Sequence, residues 1–164
     1  MLDLAPVEAA RLVVELGAGT GTHTEDLLQR LGAQAQLLAF EIDPALAAGL
    51  RSKLPDPRLR VLTQSAEQLE VVLEGRRPDV VVSALPFTSL PAGTGRVILQ
   101  RTARVLAPGG VLLVLQYSPL LSSELSRLFG EVTRRVSLLN LPPAFLFACR
   151  EPTGGGRDGP AAAR

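Results

Sequence analysis

Short apolar runs alternate with amphipathic stretches along most of the chain. Leu12-Val13-Val14-Glu15-Leu16 is apolar at four of five positions, as in a strand covered on both faces. From Thr22 to Leu31 the leucines fall at 27, 28 and 31, the spacing of a helix with one apolar stripe. Thr22 and Thr24 are its candidate N-caps, and Glu25 and Asp26 fall where the helix dipole favours negative charge. The alternation continues with a strand at Gln36–Phe40 and a helix opened by Pro44 at its first position and running through Leu50. Leu54-Pro55-Asp56-Pro57 stops that helix. Next come a strand at Leu59–Leu62, a short helix to about Glu74, and a strand at Asp79–Ser83. A helix over about Gly93–Leu106, a strand at Val111–Tyr117 and a helix over about Leu120–Phe129 follow. Two last strands, near Val132–Leu138 and Ala144–Arg150, flank Asn140-Leu141-Pro142-Pro143. Such alternation specifies an α/β fold, a parallel sheet with helices on both faces. The first eleven residues offer one loose turn broken by Pro6.

Composition narrows this little. At 164 residues and 46% hydrophobic content the chain can bury one continuous core, so residues 1–150 are expected to form a single domain. The remainder, EPTGGGRDGPAAAR from Glu151 to Arg164, has no apolar anchor and is expected to be disordered. No apolar run reaches the roughly 18 residues of a membrane span, and no basic start leads into an apolar leader, so a cytosolic location is expected. Cys149 is the one cysteine, which excludes an internal disulfide and a cysteine-rich metal site; its AFLFAC setting is that of a core residue. His23, the one histidine, reads as a solvated or capping residue, and no metal is expected. Net charge is +1, but residues 1–75 carry 6 Lys+Arg against 11 Asp+Glu and residues 76–164 carry 11 against 5. That asymmetry fits a solvated surface or an anionic substrate facing the second half, and it is too mild to indicate nucleic acid.

The candidate chemistry begins where the first strand ends. Gly17, Gly19 and Gly21 follow it at every second position, so a ligand can lie against bare backbone before the helix starts. Glu41 ends the next strand 24 residues after Gly17, close to the distance of about 20 at which a carboxylate meets ribose hydroxyls. Both turns would open on one crevice at the carboxyl ends of neighbouring strands. The glycine spacing is not that of a pyrophosphate cradle, and Glu15 just ahead of it would repel a pyrophosphate and suit a cation.

The run ELGAGTG resembles motif I of the class I S-adenosylmethionine-dependent methyltransferases. The Ala107-Pro108-Gly109-Gly110 break before VLLVLQY is similar to theirs as well. This resemblance implies a Rossmann-like, seven-stranded, mostly parallel sheet with an antiparallel C-terminal hairpin. It also implies S-adenosylmethionine as cofactor, held by Glu15, Gly17, Ala18, Gly19, Thr20, Gly21, Glu41, Ile42, Ser65, Ala66 and Ser83. VVELGAGTG, FEIDP, DVVVSALPFTSLP, LAPGG, LQYSP and NLPPAF, in this order between Leu12 and Arg150, resemble the bacterial phospholipid N-methyltransferases. The narrower elements are Ser83–Pro91, Tyr117–Pro119 and Asn140–Ala144. They imply stepwise methylation of phosphatidylethanolamine toward phosphatidylcholine by a peripheral protein on the inner face of a membrane. The headgroup would be met by Leu85, Pro86, Phe87, Tyr117 and Asn140, with Tyr117 orienting the amine and Phe87 forming an apolar or cation–π wall.

Two features depart from that family. Its members carry an N-terminal amphipathic helix over the cofactor, whereas eleven residues precede the first strand here. Ser65 stands where an aspartate often faces the adenine amine, and a hydroxyl accepts a weaker bond than a carboxylate. Two alternatives stay open. One is an rRNA or DNA adenine methyltransferase, whose Asn-Leu-Pro-Tyr-like loop would correspond to Ala84-Leu85-Pro86-Phe87. The other is an inactive cofactor-binding module.

Overall fold

The computed structural model describes residues 1–137 and 143–153. Seven strands form one sheet: β1 (Leu12–Leu16), β2 (Gln36–Phe40), β3 (Leu59–Leu62), β4 (Val80–Ser83), β5 (Val111–Gln116), β6 (Phe129–Ser137) and β7 (Ala144–Pro152). Their spatial order is β3-β2-β1-β4-β5-β7-β6. The first five are mutually parallel, and β7 enters antiparallel between β5 and β6. Helices α1 (Thr22–Arg30), α2 (Pro44–Lys53), α3 (Leu69–Leu73), α4 (Thr94–Val105) and α5 (Ser122–Leu128) cover both faces. The seven-stranded, doubly covered sheet and its antiparallel hairpin agree with the expectation from the sequence.

Strand parity divides the core into two layers. Leu12, Val14 and Leu16 of β1 pack with Leu69 and Leu73 of α3, Ile98 and Leu99 of α4 and Leu125 of α5. Val13 points the other way and packs with Leu27, Leu28 and Leu31 beside the chain start. Cys149 is fully buried in the first layer, and burial pushes its thiol up to about 12, so it is inert at neutral pH. Asp79 precedes β4 rather than opening it. Its carboxylate accepts the amides of Arg11 (2.8 Å) and Leu12 (3.0 Å), pinning the start of β1 to the strand beside it.

Several local expectations need correction. The first eleven residues form two 3-10 turns, Leu2–Leu4 and Val7–Ala9, with Leu2 and Val7 buried in the second layer. Asp3 pairs with Arg30, and the Leu4 carbonyl accepts from Arg150 (2.8 Å), so partners far along the chain hold this segment. Gly21, in the left-handed region, is the N-cap of α1, and neither Thr22 nor Thr24 caps it. β6 begins at Phe129, whose ring is buried and whose backbone lies in register with Pro152, and this register also carries β7 two residues past Arg150. The fifth helical segment opens with a 3-10 turn, Pro119–Leu121. Asn140 and the tail beyond Thr153 lie outside the described residues.

The start of α2 is built as the sequence implies. Asp43 Oδ1 accepts the amides of Ala45 (2.7 Å) and Leu46 (3.1 Å), and Pro44 at the first position lacks the donor that would need a partner. Asp43→Ala is expected to lower the unfolding free energy by about 1 kcal/mol, measured by urea denaturation. Among the described residues no helix is long and apolar enough to cross a membrane, and no cluster of acidic, histidine and cysteine side chains is suited to a metal ion.

Candidate active site

The site is built at the carboxyl end of the parallel strands, where β1 gives way to the glycine loop. Gly17 and Ala18 both donate to the carbonyl of Phe40 (2.9 and 3.0 Å), so the loop leans on the end of β2. Gly17, at φ +79°, has no room for a side chain: a Cβ there would come within 2.6 Å of Leu85 Cδ2. Across the loop, Glu41 Oε2 accepts the amide of Gly19 (2.7 Å) and Oε1 accepts that of Asp43 (2.9 Å). Each carboxylate oxygen has two acceptor positions, so this nearly buried group still has capacity for two hydroxyls.

A cavity of about 480 Å³ opens over this loop. Of the residues expected at the cofactor, Gly17, Gly19, Glu41, Ile42, Ser65 and Ala66 line it, and Leu85 and Pro86 from the loop after β4 form its opposite wall. Ala18 is buried beneath the loop, Thr20 is exposed, and Gly21 lies at the start of α1; none of the three lines the cavity. Ser83, fully buried at the end of β4, accepts the Leu85 amide through Oγ (3.4 Å) and shapes that wall from behind.

Glu15 is also placed behind the loop. It shares the parity of Val13, so its carboxylate faces α1 and accepts the Thr24 hydroxyl (2.6 Å) at 1% exposure. Burial pushes its carboxyl up to about 7; the Thr24 bond opposes the rise and the nearby Glu41 charge adds to it. In the unfolded chain the same group ionises near 4.5. Between these values the folded form holds the extra proton, so this group's stabilising contribution is fully present below about 4.5 and is lost as pH rises through about 7. Glu15→Gln should therefore gain stability relative to wild type on going from pH 5 to pH 8.5, by roughly 2–3 kcal/mol in urea denaturation. Equal pH slopes in the two proteins would place the titration elsewhere. His23, half-buried on α1, is held below its ordinary value by burial and lies away from the cavity.

The substrate residues expected from sequence divide among three places. Phe87 turns inward into the first core layer, helped by Gly95, where even a Cβ would lie 3.0 Å from the ring. It is thus no part of the cavity wall. Tyr117, 59% exposed, lines a neighbouring hollow that shares Ala84, Leu85 and Pro86 with the main cavity. Asn140 is outside the described residues.

Sequence reasoning missed Glu67. Ser65 caps the short turn after β3, its Oγ accepting the Glu67 amide (3.2 Å) and lying 3.3 Å from Glu67 Oε2, and both residues line the cavity. The turn delivers a carboxylate to the wall where Ser65 offers a hydroxyl. The legible signal was the Ser-x-Glu spacing. Bare backbone at Gly17 and Gly19, a carboxylate with spare acceptor capacity, a second carboxylate at Glu67 and apolar walls together suit an adenosyl group bearing a positive sulfonium.

Comparison with known proteins agrees with this chemistry. A family model described as a methyltransferase domain matches residues 13–110. The chain is 35% identical over 150 residues to ornithine lipid N-methyltransferase of Singulisphaera acidiphila, covering 88% of this chain and 78% of that one. It is 34% identical over 138 residues to ribosomal RNA small subunit methyltransferase A of Leifsonia xyli, covering 84% of this chain and 43% of that longer protein. Among solved structures, the N-methyltransferase NodS of Bradyrhizobium japonicum WM9, in complex with S-adenosyl-L-homocysteine, superposes with a TM-score of 0.78 at 18% identity, covering 92% of this chain and 83% of that one. The chain belongs to the methyltransferase-domain family and is a class I methyltransferase with S-adenosylmethionine as its cofactor.

Proposed function

We propose that this enzyme methylates the amine of a lipid headgroup, with phosphatidylethanolamine and its mono- and dimethyl derivatives as substrates on the way to phosphatidylcholine. The observation that carries the reading is the likeness to an ornithine lipid N-methyltransferase over 88% of the chain. Exposed apolar side chains support it. Ile42 (70% exposed) lines the cavity, and Tyr117 and Leu120 (77%) follow β5 on the substrate side, where a lipid surface would cover them.

In this reading the free acceptor positions of Glu41 take the ribose hydroxyls, and Ser65 with Glu67 accepts the amine of the base. The backbone at Gly17 and Gly19 lies along the methionyl part. Glu15, Ala18, Thr20, Gly21 and Ser83 shape the loop and wall without touching the ligand. When bound, the cofactor supplies an electrophilic methyl group on sulfur. The chain's own task is alignment and exclusion of water, and Leu85 and Pro86 close the reacting side with apolar surface. Tyr117 orients the incoming amine through its hydroxyl and faces the methylated cation with its ring.

Methyl-labelled cofactor, offered together with phosphatidylethanolamine vesicles, ornithine lipid vesicles and 16S rRNA, tests the reading. Label in lipid is expected. Label in RNA alone would replace it with the second reading, which rests on the likeness to ribosomal RNA small subunit methyltransferase A. Against that second reading, Ala84 stands where such enzymes would offer an asparagine acceptor. Cofactor binding without transfer to any acceptor would leave only a binding module. Tyr117→Ala should lower kcat/KM roughly 30-fold, about 2 kcal/mol of lost cation–ring and hydrogen-bond stabilisation, with Tyr117→Phe intermediate. Unchanged rates in both variants would remove Tyr117 from the mechanism.

A further inference from the structure

The hollow beside the main cavity, about 330 Å³, is walled differently from it. Thr88 and Ser89 come from the loop after β4, and Tyr117 and Ser118 follow β5, so four hydroxyl-bearing residues line one space, and among the described residues no carboxylate or basic side chain lines it. Thr88 and Ser89 are exposed, and their hydroxyls have no hydrogen-bond partner among the described residues. Ser118 Oγ accepts the Leu120 amide (3.3 Å), which leaves its own proton to be donated.

A buried amide fixes the shape of this hollow. Gln116, 4% exposed, donates through Nε2 to the carbonyls of Leu85 (2.7 Å) and Leu115 (2.5 Å), tying the loop after β4 to the end of β5. Leu85 in turn lies on the shared wall, so the hollow and the main cavity are held in one relative position.

The two compartments differ in the charge that they suit. The main cavity carries Glu41 and Glu67, which favour a cation. The hollow offers hydroxyl donors and, among the described residues, no carboxylate to repel an anion, and an anionic oxygen is an acceptor that takes several such donors at once. A zwitterionic headgroup has both ends: an amine for the cavity side and an acidic group a few bonds away.

We propose that the Thr88–Ser89–Ser118 hollow is the subsite for the anionic oxygens of the methyl acceptor, a phosphodiester or a carboxylate. The proposal rests on the lipid-amine reading above and adds what distinguishes a headgroup from a bare amine. The subsite fixes where the amine stands by holding the group to which it is tethered.

The test uses the double variant Thr88→Val/Ser89→Ala, whose substitutions are close in shape and lie on exposed positions. Methyl transfer is measured to phosphatidylethanolamine, to ornithine lipid and to octadecylamine, each carried in phosphatidylcholine vesicles. Octadecylamine has the amine and no anion. The ratio of kcat/KM for a headgroup lipid to that for octadecylamine is expected to fall at least about tenfold in the variant, through KM, as two solvent-exposed bonds to a charged acceptor are lost. A fall confined to phosphatidylethanolamine identifies the phosphodiester, and one confined to ornithine lipid the carboxylate. An unchanged ratio overturns the subsite, whether the individual rates fall together or stay the same. Failure of the wild-type protein to methylate any of the three lipids would instead overturn the lipid-amine reading, and the subsite with it.

Discussion

Glu41→Ala is expected to weaken S-adenosylhomocysteine binding by about 100-fold or more in calorimetry, with methyl transfer falling in parallel. The carboxylate acts twice. It accepts the amides of Gly19 (2.7 Å) and Asp43 (2.9 Å), and so holds the glycine loop against the turn after β2. Its remaining acceptor positions are those assigned to the ribose. Hydrogen bonds to a charged acceptor are worth roughly 1.5–3 kcal/mol each, and a 100-fold loss corresponds to about 2.7 kcal/mol, so loss of the ribose contact alone reaches the expected effect. Glu41→Gln separates the two tasks. Its amide nitrogen would oppose one of the backbone donors, so it should bind better than alanine and still fall well short of wild type. Affinity in Glu41→Ala within threefold of wild type would refute the ribose assignment.

The second large effect is expected at Gly17. A side chain there must adopt φ +79°, a conformation costing roughly 1–2 kcal/mol, and its Cβ would displace Leu85. Leu85 belongs to the wall between the cavity and the hollow, so its displacement disturbs both compartments. Gly17→Ala should therefore lose about 2–3 kcal/mol of stability and at least about 100-fold in kcat/KM. Gly19 provides the contrast. Its backbone has φ +56° and a Cβ there meets no protein atom within 4 Å, yet the position lines the cavity. Gly19→Ala is expected to cost less stability while still impairing cofactor affinity, because the added methyl group occupies space that the ligand approaches. A Gly17→Ala protein with wild-type stability and turnover would show that Leu85 can yield without consequence.

Strands, helices and the parallel part of the sheet were legible because they follow from periodicity, a property of neighbouring residues, whereas the antiparallel hairpin was expected only from the resemblance to class I methyltransferases. The glycine loop and Glu41 were legible because a strand end and a turn are local features at a fixed spacing. The chain start was not, since its two turns are held by Arg30 and Arg150, far away in sequence. Glu15 illustrates a different limit. Its position in the motif pointed to the ligand, whereas strand parity turned it toward Thr24 of α1. Phe87 sits in a rigid-looking loop whose inward turn depends on the space left by Gly95 of α4. Glu67 was overlooked although the Ser-x-Glu spacing is present in the sequence, because only the folded turn brings its carboxylate back onto the cap at Ser65 and into the cavity wall.

The outermost strand, β6, carries a further consequence. It is nine residues long, its inner edge pairs with β7, and no described strand pairs with its outer edge. An open edge of that length is a template on which another chain can add a strand and begin to aggregate. Glu131, Arg134 and Arg135 lie exposed along it, with Thr133 among them. An incoming strand would have to desolvate or displace these charges to pair, so arginine here guards the edge of the sheet against self-association, and apolar replacements would make that edge adhesive.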